Sequence, residues 1–322
     1  MSRFSDLAVF ASRHRRLVGA AQLGLLAVFF GLFGWGLRGT FGSAERDLHH
    51  SNLAYFGLAC VALAAYYLVF VLGWKWILAE WGVQISYPVA LRSEMVSMLA
   101  KYIPGGVWTP AARVVAARRA GVTDAWLVTS SMLLEAGLSA VSGVIVLVLG
   151  LAFVDNVHAP LAPLIVFGAV VAVLVQPRVF RPLAGRVLRR LGYTRELPNM
   201  RARILSALLV FYAFTWVLGG LALWLLLYSV GARPEAASIV FLGGTAAVGA
   251  IVAVLFVFAP SGIGVREASM YGLLLAVATP GQALGAVALN RLALTGVELL
   301  LLLVGGLLLR RSRPLDPAEV PS

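Results

Sequence analysis

Three ionisable side chains lie inside apolar stretches of this sequence, where charge is costly. Glu135 is about eleven residues into the apolar segment Asp124–Phe153, or roughly 16 Å at 1.5 Å per residue. Arg291 and Glu298 lie one heptad apart in the last apolar segment and therefore share a face of a helix. A charge at the bilayer centre costs about 2.5–3.5 kcal/mol on insertion scales, so such residues face a partner or a wet cavity.

Two breaks of proline and glycine interrupt the apolar sequence, and each has charge beside it. They are Lys101-Tyr102-Ile103-Pro104-Gly105-Gly106-Val107-Trp108 and Ala259-Pro260-Ser261-Gly262-Ile263-Gly264-Val265-Arg266-Glu267. Proline lacks a backbone donor and glycine tolerates any φ and ψ, so neither stretch fits a helix interior. Irregular backbone at membrane depth needs protein or a wet cavity around it, and paired breaks in two halves of a chain indicate a transport site. The predicted substrate-binding residues are Lys101, Tyr102, Pro104, Gly105, Gly106, Arg113, Glu135, Pro260, Gly262, Gly264, Arg266, Glu267, Arg291 and Glu298.

The chemistry expected of these residues is the binding of a phosphate group in a wet, amphipathic groove. Arginine suits phosphate because its planar fork binds two oxygens at once, and backbone N–H groups freed at helix starts after the breaks add to an anion site. The cations would hold the phosphate, while Glu135 and Glu298 would bias protonation or gating. The alternative is a static ion pair that locks the bundle, such as Glu135 with Arg291 or Arg266 with Glu298.

Other polar groups carry weaker signals. Glu45-Arg46-Asp47 resembles the acidic pair that membrane glycosyltransferases place in their first outer loop, although solvated loop charge explains it more simply. His49 and His50 have no third metal ligand nearby, and the single cysteine, Cys60, excludes a disulfide within the chain. We therefore expect neither a metal nor another cofactor.

The composition indicates a multi-pass membrane protein. Of 322 residues, 61% are hydrophobic and 12% charged, with a mean hydropathy of +0.91, whereas a soluble domain is about half apolar and a quarter charged. The net charge of +12 is explained by arginine in cytoplasmic loops, so we expect no nucleic-acid partner.

The order of apolar segments predicts an all-α protein with about six full transmembrane helices and two re-entrant helical hairpins, or eight or so membrane segments. Residues 1–16 form a basic cytoplasmic tail, 17–310 a single integral membrane domain, and 311–322 a disordered cytoplasmic tail. The predicted crossings are Leu17–Leu37, Asn52–Gly73, Asp124–Phe153, Ala159–Gln176, Ile204–Val230 and Ala283–Leu309, with an interfacial aromatic belt at Trp74, Trp76 and Trp81.

The hairpins are predicted within residues 82–119, as short arms around the first break, and within 236–278, around the second. The halves 82–153 and 236–309 each place a hairpin before a long helix with a buried acid, which indicates an inverted repeat. In an alternative topology Ala236–Phe258 spans the membrane fully. Arginine clusters, including those in the loop 177–203, place both termini in the cytoplasm.

At these motifs the chain resembles the lysylphosphatidylglycerol synthase transmembrane family. The resemblance covers about residues 15–310 and rests on the two breaks, Arg113, the turn Arg119-Ala120-Gly121-Val122 and Glu135. The family's second motif is Pro-Gly-Gly-Leu-Gly-Val-Arg-Glu, from which Ser261 and Ile263 depart. The resemblance implies a domain similar to the flippase half of the multiple peptide resistance factor, which moves aminoacylated phosphatidylglycerol between leaflets. Because the chain stops at Ser322, we expect the aminoacyl-transferase half to be absent.

These observations favour a transporter in the inner membrane rather than an enzyme. Its partners would be membrane lipids: an anionic or aminoacylated phospholipid, or a polyprenyl-phosphate-linked lipid, since some archaeal relatives are linked to sugar carried on polyprenyl phosphate. The alternatives are a polyprenyl-phosphate-dependent glycosyltransferase that uses Asp47, and a non-transporting scaffold for envelope assembly. The sequence leaves open the lipid, its direction and energy source, and whether the chain forms a homodimer.

Overall fold

The structure is a computed structural model that describes residues 51–101, 108–119, 121–122, 124–155, 157, 162–190, 199–256 and 262–311. These residues form helices joined by short turns. The α-helices are α1 Leu53–Glu80, α2 Tyr87–Ala100, α3 Trp108–Arg118, α4 Ala125–Gly150, α5 Ala162–Val175, α6 Pro177–Arg190, α7 Ala202–Ser229, α8 Ile239–Leu255, α9 Val265–Leu274 and α10 Pro280–Arg311. Short 3₁₀ turns extend α4 through Leu151–Phe153 and precede α8 at Ala236–Ser238.

Five helices of the described chain are long and apolar enough to cross a membrane. With their 3₁₀ extensions they are Leu53–Glu80, Ala125–Phe153, Ala202–Ser229, Ala236–Leu255 and Pro280–Gly305, with mean hydropathies from 1.9 to 2.3. Their 20 to 29 residues correspond to about 30 to 44 Å, enough for a hydrocarbon core of about 30 Å. The protein is therefore a multi-pass membrane protein.

Helix α7 lies at the centre of the bundle and packs against α1, α4, α8 and α10. Glycines allow the closest approaches. A side chain at Gly220 of α7 would overlap the backbone of Ile239 and Gly243, and one at Gly244 of α8 would overlap Leu147 of α4. In lipid, where no hydrophobic force drives helices together, small residues let backbones approach and gain packing energy.

Three short helices lie against this bundle. Helices α2 and α3, of 14 and 11 residues, pack against each other; α2 also contacts α1 and α10, and α3 contacts α4. Helix α9, of 10 residues, packs against α8 and α10. All three are shorter than the ~20 residues needed to span a bilayer. The predicted arms Pro88–Tyr102 and Arg266–Ala278 thus correspond to short helices.

The backbone of the second break explains its glycines. Gly262 has a φ of 63° and Gly264 a φ of 86°, a region that side chains with a Cβ rarely adopt. Gly264 is also the N-cap of α9, where the Glu267 carboxylate accepts a hydrogen bond of 2.5 Å from the Gly264 N–H. The last glycine of the second break is therefore the residue at which α9 begins.

Several predicted bounds were wrong. Helix α1 continues to Glu80 rather than ending at Gly73, so Trp74 lies inside it and is fully buried instead of in an interfacial belt. Of the predicted crossing Ala159–Gln176, the structure describes the helix α5, Ala162–Val175; its first three residues lie outside the described residues. Part of the predicted loop 177–203 is the helix α6.

The segment before the second break is a 20-residue candidate span, Ala236–Leu255, which is consistent with the alternative topology. Some predictions fall outside the described residues: the basic tail, the first crossing, the loop with Glu45, Asp47 and His49, and the tail after residue 311.

Candidate functional site

Arg113 of α3 lies in a polar cage formed with four other helices. Its Nη1 donates to Glu135 Oε2 on α4 at 2.5 Å, its Nη2 donates to Glu94 Oε1 on α2, and its Nε donates to Ser97 Oγ at 3.2 Å. The Trp74 ring of α1 lies 5.0 Å from the guanidinium carbon. Only 3% of Arg113 is exposed. All three guanidinium nitrogens are engaged, so this arginine presents no nitrogen free for a ligand.

The two carboxylates of the cage are unequally satisfied. Glu135 accepts from Arg113 through one oxygen and from the Tyr212 hydroxyl of α7 through the other, at 3.3 Å. Glu94 accepts from Arg113 through Oε1, while its Oε2 is buried with no hydrogen-bond partner among the described residues. Glu94 and Glu135 are 0% and 4% exposed. We call Glu94, Ser97, Arg113, Glu135, Tyr212 and Trp74 the Arg113 cage.

A second cluster surrounds Glu298 of α10, which is fully buried. Its Oε1 accepts from the Tyr67 hydroxyl of α1 and from the Lys101 ammonium at the end of α2. Tyr67 lies 14 residues after Leu53 and 13 before Glu80, or about 21 and 20 Å from the two ends of α1. Lys101 at the end of α2 therefore shares a hydrogen-bond partner with the middle of α1, one of the five candidate spans.

Two arginines complete this second cluster. Arg266 of α9 and Arg291 of α10 both act electrostatically on Lys101. Arg291 Nη1 also lies 3.4 Å from Oε1 of Glu267. By contrast, the buried Nε of Arg266 has no hydrogen-bond partner among the described residues. We call Tyr67, Lys101, Arg266, Glu267, Arg291 and Glu298 the Lys101 cluster.

The tight packing around Arg266 positions its side chain. Gly249 of α8 lies beside it, and a Cβ at this position would come within 3.2 Å of Arg266 Cγ. The charge of Arg266 also acts on Tyr66 and Tyr67 of α1. The charge of Arg266 is therefore within electrostatic range of α1 and of Lys101 at the end of α2.

The cluster holds more positive than negative charge. Lys101 pairs with Glu298 and Arg291 pairs with Glu267, while Arg266 adds a third cation, so the formal charges of these five residues sum to one positive charge. Lys101 is 23% exposed and Arg291 is 22% exposed at the side chain. This arrangement can attract an anion, because an excess cation in a low-dielectric site is stabilised by opposite charge.

The structure divides the predicted site residues into these two groups. Lys101, Arg266, Glu267, Arg291 and Glu298 lie in the Lys101 cluster, and Arg113 and Glu135 lie in the Arg113 cage. Gly262 and Gly264 form the turn that starts α9. The remaining predicted residues, Tyr102, Pro104, Gly105, Gly106 and Pro260, are outside the described residues.

The ion pairs suggested as the static alternative were wrong in their partners. Glu135 pairs with Arg113 rather than Arg291, and Glu298 pairs with Lys101 rather than Arg266. The reason is tertiary, because the α2–α3 pair inserts its own cations between the long helices. Among the described residues, no group of three His, Cys, Asp or Glu side chains could hold a metal ion.

Sequence reasoning missed Glu94, Ser97, Tyr67, Trp74 and Tyr212 as site residues. One signal was present: Glu94, Ser97 and Lys101 follow a three- and four-residue spacing and share a face of α2. The aromatic residues gave no signal, because a tyrosine or tryptophan inside an apolar run does not reveal what its polar atom contacts.

Comparison with known proteins agrees with the helical membrane architecture. The family model described as lysylphosphatidylglycerol synthase TM region matches residues 19–311. No curated protein matches the chain. Since the matched residues cover nearly the whole chain, this protein belongs to the lysylphosphatidylglycerol synthase TM region family.

Proposed function

We propose that this protein moves a lipid with a phosphate-bearing headgroup between the two leaflets of the membrane. The lipid is an anionic or aminoacylated phospholipid, or a polyprenyl-phosphate-linked lipid. The observation that carries the proposal is Arg266, whose buried Nε has no hydrogen-bond partner among the described residues and whose charge acts on Lys101. The family assignment agrees with a role in membrane lipid chemistry.

The short helices support two re-entrant segments that meet at this cluster. The α2–α3 pair is too short to cross, yet its Lys101 pairs with Glu298 of α10, which also accepts a hydrogen bond from Tyr67 in the middle of α1. The start of α9 carries Arg266, whose charge acts on Lys101. Broken backbone at this depth is tolerated where it lines a cavity, and transport sites form between such breaks.

The charge of the Lys101 cluster suits a phosphodiester. Its one formal positive excess matches the single negative charge of a phosphatidylglycerol phosphate. Arg266 can donate to two phosphate oxygens through its planar fork. Glu298 keeps Lys101 in place through the existing ion pair, so the phosphate does not have to displace a bound carboxylate from Arg266.

The test is lipid movement in proteoliposomes containing fluorescent phosphatidylglycerol, with quenching of the outer leaflet as the measurement. A charge-assisted hydrogen bond is worth about 1.5–3 kcal/mol, and 1.4 kcal/mol is a factor of ten. Arg266→Gln should therefore slow movement about tenfold or more. The matched control is Arg118→Gln, an exposed arginine on α3, which should move lipid at the wild-type rate. Equal rates for Arg266→Gln and wild type would contradict the proposal.

A further inference from the structure

The Arg113 cage contains an excess of acid that lipid binding does not explain. Two carboxylates, Glu94 and Glu135, bind one guanidinium, and all three side chains are buried, with at most 5% of each exposed. If both acids were ionised, the cage would hold a net negative charge. It would also leave Glu94 Oε2 as a buried charged oxygen with no donor among the described residues.

A single proton relieves both problems. Burying an unpaired ion costs several kcal/mol even after relaxation, and two carboxylates that share a site resist ionising together. A proton on Glu94 Oε2 makes the cage neutral, and Oε1 can still accept from Arg113. Glu94 is the better position for the proton, because Glu135 already receives hydrogen bonds from both Arg113 and Tyr212.

The neighbouring groups leave this assignment intact. On α1, Tyr66 and the Trp74 ring face the cage; on α2, Lys101 acts on Glu94 but is paired with Glu298 of α10. On α7, Tyr212 donates to Glu135. Among these described groups, Arg113 is the only cation in hydrogen-bond contact with the two acids.

We propose that Glu94 is a proton-binding site that controls how the α2–α3 pair is held against α4. With Glu94 protonated, Arg113 binds Glu135 and closes the cage. Loss of the proton adds a negative charge, and the pair separates from α4 so that water reaches the acid. Binding takes a proton from water and forms an O–H bond at Oε2; release breaks that bond and returns the proton to water. The site does not depend on lipid movement, but its use to drive transport rests on the proposed function.

Infrared spectroscopy of the full chain in lipid nanodiscs tests the proton site directly. We expect a carboxylic acid C=O band at neutral pH that disappears only in alkaline solution. Both Glu94→Gln and Glu135→Gln should abolish the band, because either change removes the second acid and lets the remaining carboxylate pair with Arg113 as an ion. Glu235→Gln, at an exposed acid, should keep it. A wild-type spectrum without the band, or a band unchanged in both variants, would overturn the proposal.

Two spin labels test the movement. They are introduced by Val115→Cys on α3 and Leu133→Cys on α4, both exposed side chains, in a background with Cys60→Ser. The distance between the labels should increase in alkaline solution, and this increase should be absent with Glu94→Gln, which mimics the protonated acid. A distance independent of pH in the otherwise wild-type protein would refute control of the helix pair.

Proteoliposomes with an imposed pH gradient test the coupling. In wild type, the gradient should change the rate at which fluorescent phosphatidylglycerol moves. In Glu94→Gln, the rate should be the same with and without the gradient. If wild type moves the lipid at a rate independent of the gradient, the coupling is wrong. If no labelled lipid moves at all, the proposed transport of this lipid fails, while the infrared and spin-label results still decide the proton site.

Discussion

Replacing Arg113 by methionine removes the one cation of the cage and should strongly destabilise the protein. Methionine keeps much of the side-chain volume, so the main effect is electrostatic. Removing one partner of a buried ion pair costs about 3–5 kcal/mol. We expect about 3 kcal/mol, at the lower end, because Glu94 and Glu135 can take up protons once Arg113 is gone. The unpaired acids ionise as the pH rises, so the loss should grow in alkaline solution.

The assay is reversible unfolding in mixed micelles, followed by tryptophan fluorescence, since Trp74 lies against Arg113. Arg118→Met on the same helix is exposed and should change the free energy of unfolding by no more than about 0.5 kcal/mol. The triple variant Glu94→Gln, Arg113→Met, Glu135→Gln should recover most of the loss, because it leaves no buried charge. A loss for Arg113→Met as small as that of Arg118→Met would refute the cage as described.

Two further changes test the packing and the Lys101 cluster by the same unfolding measurement. Gly220→Ala should lower the free energy of unfolding by about 1–3 kcal/mol, because a methyl group there would overlap the backbone of α8. The control is Gly57→Ala, which has nothing within 4 Å of the added methyl group and should be neutral or stabilise α1. Equal changes in stability for the two variants would contradict the close approach of α7 and α8. Tyr67→Phe should lower the free energy of unfolding by about 1.5–3 kcal/mol, because it removes a donor to the Glu298 carboxylate. Tyr55→Phe, near the start of the same helix, should cost less than half as much. A Tyr67→Phe variant as stable as wild type would count against that hydrogen bond.

The helical architecture could be predicted from the sequence where the signal is local. Long apolar runs fix the existence of a span, because each turn of such a helix is favourable in lipid by its own composition. Thus Ile204–Val230 was predicted within a few residues of α7, Ala202–Ser229. The positions of the helix ends were harder to predict from the sequence. Trp74 and Trp76 indicated an interface by residue type, yet Trp74 is fully buried in the protein and α1 continues to Glu80.

The sequence also predicted that some individual charged side chains would be buried. An acid such as Glu135 or Glu298 inside an apolar run must be buried against protein or water, and both are buried. Glu94 was missed because it lies in a short, mixed segment, where polar residues are usual on a solvated face. Its burial follows only from the packing of α2 against α1, α3 and α10.

By itself the sequence determined that this chain is a multi-pass helical protein with breaks and buried charges at particular positions, because hydropathy, proline and glycine act on the residues that carry them. Only the tertiary structure decided the partners. Glu135 meets Arg113 across 22 positions of sequence, and Glu298 meets Lys101 across 197. Such pairings depend on how the helices are placed and rotated about one another, and that geometry is set by packing throughout the bundle rather than by any local pattern.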